Sequence, residues 1–163
     1  MVQPSLVRVP FPSPVPDAFG PRLALRIADV VRRDPGGIDL CQRYLVHGGV
    51  SDGDTLALRM RQLYRQPLSM LARWIVGREV VCYERGGAVL LPEFQFDAAT
   101  LLPLPCVRRV VRELRDVYDD EELARWFVGD NASLGGRVPA DVVEAEPDAV
   151  LQAARADRFV SHW

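Results

Sequence analysis

Lysine is absent from this chain: all 20 basic residues are arginine. That absence excludes a Walker-type phosphate-loop lysine, a Schiff-base lysine and pyridoxal phosphate chemistry. Histidine is scarce, with only His47 and His162, and they stand far apart. HExxH, GxSxG and a GxGxxG following a strand are all missing, so the common hydrolase and dinucleotide signatures find no purchase. "HGG" at His47–Gly49 resembles an oxyanion-hole motif only in letters; without a nucleophile elbow it reads as a helix C-cap. The three cysteines, Cys41, Cys82 and Cys106, are odd in number and widely spaced. They support neither a disulfide framework nor a CxxC zinc site, and buried reduced thiols are expected. No run of about 18 apolar residues occurs and the first 20 residues lack a charged-then-apolar leader pattern, so a cytoplasmic protein without a membrane span is expected.

What is present points to a soluble globular unit. Of 163 residues, 48% are hydrophobic and 26% charged, with a net charge of -2, enough apolar material for one domain with a core of its own. Charge is unevenly spread. Residues 21–85 carry eleven Arg against seven acids, whereas residues 86–163 carry eight Arg against fourteen acids. Opposite signs in the two halves fit two separate jobs, or two differently solvated faces.

Periodicity predicts a mainly α protein in four parts. Residues 1–21 hold six prolines (Pro4, Pro10, Pro12, Pro14, Pro16, Pro21) and form an extended arm. Residues 22–77 form a helical, helix-turn-helix-like domain. Leu23, Ile27, Val30 and Val31 share one face of a first helix that "DPGG" stops, and a second runs from Ile38 to about His47. A third, "LALRMRQLYRQ", is capped by Asp54 or Thr55 and closed by Pro67, which opens a fourth ending at Gly77. Helices three and four should meet at a corner of three or four residues. Residues 78–97 make a β-hairpin, Arg78 to Leu91 with "RGG" at the turn, and then a connector in which Phe94 and Phe96 point to the same side. Residues 98–163 form a compact helical domain. Its clearest element carries Val107, Val110, Val111, Leu114, Val117 and Tyr118 on one stripe. Asp119 and Glu122 form a capping box for the next helix, with Leu123, Trp126 and Phe127 on its buried face. Pro139 and Pro147 open the last two helices, the latter turning Val150, Leu151 and Ala154 inward.

Two charge clusters bear on chemistry. "DDEE", Asp119–Glu122, has the composition of a metal or acid/base site, but four carboxylates at a helix start also complement the helix dipole and supply a cap. Cys82 close to Arg85 could be an activated thiolate or inert strand packing, and packing is expected. No catalytic residue, metal site or cofactor is expected. The basic cluster is the more informative: Arg59, Arg61, Arg65, Arg73 and Arg78 fall between residues 55 and 78 without a single acid among them. Arginine forks suit phosphate oxygens and guanine edges, so Arg59, Arg61, Arg65, Ser69 and Arg73 are candidate DNA contacts.

Three motifs stand in order: "LPEFQFD" (Leu91–Asp97), then "ELARWFVGDNASLGGRVPADVV" after an amphipathic helix, then "PDAVLQAARAD". Together, over residues 78–158, they resemble the toxin-binding domain of antitoxins in the Xre/MbcA/ParS group, which pair with RES-domain toxins. The resemblance implies a non-enzymatic protein that neutralises an NAD-depleting toxin by covering its active site and represses its own operon through an N-terminal helix-turn-helix. It implies that Trp126, Phe127, Asn131, Leu134, Gly135, Gly136, Arg137 and Pro139 form the family core. By the same token Arg155, Arg158, Phe159 and Trp163, in the last helix and tail, would contact toxin. Leu56–Val76 departs from a regular helix-turn-helix in having Pro67 near the turn and no glycine there. A DNA-binding regulator with a dimerising helical domain and no toxin is the rival expectation.

Overall fold

Short apolar periods broken by glycine and proline should give short helices, and they do. The computed structural model describes residues 37–161. The proline-rich arm, the helix expected from Arg22, His162 and Trp163 lie outside the described residues. Within them are seven helices: α1 (Gly37–Leu45), α2 (Gly53–Met60), α3 (Pro67–Val76), α4 (Pro105–Leu114), α5 (Asp120–Val128), α6 (Pro139–Val142) and α7 (Pro147–Val160). Three short strands, β1 (Val50–Asp52), β2 (Tyr83–Arg85) and β3 (Ala88–Pro92), form one antiparallel sheet in the order β1-β3-β2.

The hairpin β2–β3 follows from its turn. Arg85 pairs with Ala88 across Gly86 and Gly87, whose φ values are 59° and 79°. A two-residue loop with positive φ at both positions matches the twist of the strands, and glycine adopts it without strain. The ladder begins at Tyr83 rather than at Arg78 as expected. Upstream, the backbone of Val81 is bonded instead to a side chain: Gln95 Oε1 accepts from Val81 N at 2.7 Å, and Gln95 Nε2 donates to Val81 O at 2.8 Å and to Pro92 O at 2.9 Å. Gln95 is fully buried. β1 was not expected at all. Three residues between two glycines and a helix are too short for a period-2 signal, and β1 exists by pairing with β3, Val50 opposite Pro92 and Asp52 opposite Leu90.

Alternation around this sheet builds two apolar cores. Val81, Tyr83 and Leu90 pack with Leu40, Cys41 and Tyr44 of α1 and with the buried faces of α4, α5 and α7. Val80, Cys82 and Leu91 pack on the other side with Leu56, Ala57 and Met60 of α2 and Leu71 and Trp74 of α3. Phe94 and Phe96 do not share a side. A 3-10 turn at Glu93–Gln95 breaks the alternation, sending Phe94 to Tyr44 and Phe127, with ring centroids 5.8 and 5.2 Å away, and Phe96 to Trp74 at 6.4 Å.

The C-terminal helices follow their patterns closely. α4 buries Val107, Val110, Val111 and Leu114 against α7, whose Val150, Leu151, Ala153 and Ala154 are buried; Val117 and Tyr118, expected on the same stripe, lie past the end of the helix and pack half-buried against this core from the turn. The capping box of α5 is present, with Glu122 N donating to Asp119 Oδ1 at 2.8 Å and Asp119 N to Glu122 Oε2 at 2.9 Å. Leu123 and Phe127 are buried and Trp126 is half-buried. α2 corrects two expectations. Its cap is Asp52, which accepts from Thr55 N at 2.8 Å and Thr55 Oγ1 at 3.0 Å, because the chain leaves β1 at that residue. It also ends at Met60 rather than near Gln66: Pro67 disfavours helical geometry just before it, and Tyr64 is turned aside to donate its hydroxyl to Thr100 O at 2.8 Å. The corner between α2 and α3 is therefore six residues long, not three or four.

The Gln95 amide predicts its own test. Gln95→Ala leaves the Val81 N–H and two carbonyls buried without partners, at about 1–3 kcal/mol for each unsatisfied group. A loss of about 3 kcal/mol or more in urea unfolding is expected; a loss below about 1 kcal/mol would show that the amide is replaceable by water.

Candidate functional site

Two places gather the singled-out residues: the corner after α5, and the basic turn between α2 and α3. The first begins where α5 ends. Asn131 caps a 3-10 turn, Ala132–Leu134, through Oδ1, which accepts from Ser133 N at 2.9 Å. Its carbonyl accepts from Leu134 N and Gly136 N at 3.0 and 2.9 Å, and its N–H donates to Arg137 O at 3.2 Å. Closing so small a loop needs left-handed backbone, and Gly135 and Gly136 supply it with φ of 68° and 81°. Leu134 fills the core beneath. Arg137 then ties the loop outward, donating through Nε to Leu134 O at 3.0 Å and through both terminal nitrogens to the Glu146 carboxylate at 2.6 and 2.9 Å. Pro139 starts α6 at its first turn.

The centre of this corner is a residue the sequence analysis did not single out. Asp157, on α7, accepts through one oxygen from Trp126 Nε1 at 2.7 Å and from Asn131 Nδ2 at 2.8 Å. One carboxylate thus binds α5, the glycine loop and α7 to each other. Its sequence signal is present but faint: an acid in the last turn of a helix opposes the dipole and needs a compensating donor. Trp126 also packs edge-on against Phe127, centroids 5.1 Å apart.

The other residues of α7 are divided. Arg158 bonds Glu113 of α4 at 2.9 Å and Arg155 reaches the same carboxylate at 3.4 Å, so both candidate contacts are held within the chain. Phe159 and Val160 are 68% and 71% exposed. The "DDEE" carboxylates are each engaged: Asp119 and Glu122 in the cap, Asp120 with Arg78 at 2.9 Å, and Glu121 with Arg125 at 2.5 Å and Arg85 at 3.6 Å. The Cys82 thiol is buried and pushed up to about 11, chiefly by desolvation and secondarily by the charge of Asp120, which makes it an inert packing group at neutral pH.

The basic cluster separates on folding. Arg59 turns to Glu93 at 2.5 Å, a carboxylate that also accepts from Ser51. Arg78 turns inward to Asp120 and to the Tyr118 carbonyl at 2.7 Å. Arg61, Arg65 and Ser69 line a shallow concavity of about 700 Å³ at the six-residue corner, and exposed Arg73 lies one turn further along α3.

Asp157→Ala removes the shared acceptor and leaves the Asn131 Nδ2 donor without its partner, so a loss of about 1–3 kcal/mol in stability is expected. The Trp126 indole N–H should lose its hydrogen-exchange protection at the same time; unchanged protection would show that Asp157 does not hold the indole. The pH test concerns Glu146, whose carboxyl the Arg137 guanidinium holds below the usual range by hydrogen bonding and charge. A depressed carboxyl favours folding above its unfolded pKa, and that contribution disappears as pH falls through the folded value. In Arg137→Leu the Glu146 titration, followed by NMR, should move up toward the ordinary glutamate range; a midpoint unmoved by the substitution would remove Arg137 as the cause.

Among known proteins, no family model, no curated protein and no solved structure matches this chain.

Proposed function

We propose that this chain is the antitoxin of a type II toxin–antitoxin pair, acting in the cytoplasm without catalysis of its own, and that it neutralises a RES-type NAD-depleting toxin by covering the active site. The observation that carries this reading is the convergence of the ordered motif residues on one locked corner. Trp126 and Asn131 meet Asp157, and the same last turn of the helix presents Phe159 and Val160 to solvent. An apolar surface held on a rigid element loses little entropy on docking. A pocket that takes the pyrophosphate of NAD is cationic, and the acidic half of this chain, residues 86–163, complements such a surface. Arg155 and Arg158 act here as tethers of α7 to Glu113, with the exposed end of the helix making the contact.

A second reading, a DNA-binding regulator of its own operon, is favoured by Arg61, Arg65 and Arg73, which are exposed around Ser69 on the α2–α3 corner, a helix-turn-helix-like pair with a long turn. Its signature is a steep decline of operator affinity with salt.

Co-expression with the adjacent open reading frame tests the main reading. The neighbour alone should arrest growth and deplete NAD, and this chain should restore both. Phe159→Asp with Val160→Asp, at two exposed positions near the end of α7, should abolish the rescue in a variant whose thermal melt matches the parent. A harmless neighbour, or one equally lethal with and without this chain, overturns the proposal.

A further inference from the structure

The α2–α3 corner has a property that phosphate recognition leaves unused. Leu56, Ala57 and Met60 of α2 and Leu71 and Trp74 of α3 face the core, yet on the outside of the same unit Leu58, Leu63, Leu68 and Val76 are 49%, 50%, 53% and 85% exposed. Leu63 and Leu68 line the concavity together with Arg61 and Arg65. Scattered exposed leucines are ordinary, but four large apolar side chains on one short helix pair mark an interaction surface.

The charges around them are equally selective. Among the described residues, Arg59, Arg78, Arg85, Arg108, Arg109, Arg125, Arg137, Arg155 and Arg158 each have a carboxylate in ion-pair reach. Arg61, Arg65 and Arg73 form no such pair, nor does Arg112 on α4, but only at the α2–α3 corner do three stand within thirteen residues, and no acid occurs between residues 55 and 78 to offer them one. At the concavity exposed leucine and unpaired arginine stand side by side, Leu63 and Leu68 with Arg61 and Arg65.

We propose that this corner docks an acidic, apolar-anchored segment of a partner protein. A protein interface has this anatomy, with apolar anchors in the middle and arginine at the border. A duplex would meet the outward face of α3 as Leu68, Ser69, Ala72, Arg73 and Val76, three of them apolar, with Arg61 and Arg65 set on the turn before it. Residues 22–36, with Arg22, Arg26, Arg32 and Arg33 against Asp29 and Asp34, lack the net negative charge that such a rim selects. The concavity, about 700 Å³, has room for the few large side chains that usually dominate a peptide's affinity. This surface is distinct from the exposed end of α7, so its test is independent of toxin neutralisation.

The experiment uses the full chain and three probes at low and moderate salt: a short synthetic peptide alternating glutamate with leucine and phenylalanine, the same peptide with lysine for glutamate, and a double-stranded oligonucleotide. The glutamate peptide should bind, with NMR shifts confined to residues 58–76, and the lysine peptide should not. Binding should weaken at least about tenfold in Arg61→Glu with Arg65→Glu, and separately in Leu63→Ser with Leu68→Ser. All four positions are exposed, and a thermal melt confirms that the variants fold. Absent binding, shifts spread elsewhere, or leucine variants that bind as well as the parent overturn the proposal. So does tighter binding of the duplex than of the peptide, or sedimentation showing that a second copy of the chain already occupies this face.

Discussion

The side-chain amide of Gln95 holds the place where two cores meet. It satisfies the N–H and C=O of Val81, just before strand pairing begins at Tyr83, and the carbonyl of Pro92, where strand pairing ends. Without that substitute ladder the Val80–Tyr83 segment would have no reason to keep extended geometry, and extended geometry is what sends Val80 and Cys82 to one core and Val81 and Tyr83 to the other. The 3-10 turn that delivers Gln95 also parts Phe94 from Phe96. One polar residue in an apolar interior therefore sets the register of both layers, because a buried amide with three partners has few alternatives of similar energy.

The division of charge follows from the same packing. Most described arginines beside the sheet and on the C-terminal helices find carboxylates: Arg59 finds Glu93, Arg78 finds Asp120, and Arg158 finds Glu113. Those at the α2–α3 corner find none. A run of five arginines that looks uniform as a string thus becomes two structural tethers and three solvent-facing cations, and only the latter are available to a partner.

What was legible in advance depended on the range of the interactions that decide it. α3, α4 and α7 could be read because their stripes and proline starts are local, and the α5 capping box because it spans four residues. β1 could not, since three residues become a strand only through a partner forty residues later. The cap of α2 moved to Asp52 for the same reason. Asp157 escaped notice because its two donors lie 26 and 31 residues upstream, and a lone acid among Arg155, Arg158 and Phe159 looks like a solvated residue until the loop folds over it. The glycines of the loop were legible as a tight corner, but not what the corner is fastened to.

That fastening bears on how α7 can act. A carboxylate in the last turn of a helix faces the negative end of the dipole, a penalty of about 0.3–1 kcal/mol. Hydrogen bonds to a charged acceptor contribute about 1.5–3 kcal/mol each, so two of them, from the indole and the amide, exceed the penalty several-fold. The residue is misplaced for an isolated helix and well placed for a docked one. α7 therefore keeps this position through its packing on α4 and through the Asp157 lock to α5 and the glycine loop together, and the exposed Phe159 and Val160 inherit that dependence. A partner that binds the end of α7 reads the integrity of the whole C-terminal array, not of one helix, which separates a folded recognition surface from a segment that folds upon binding.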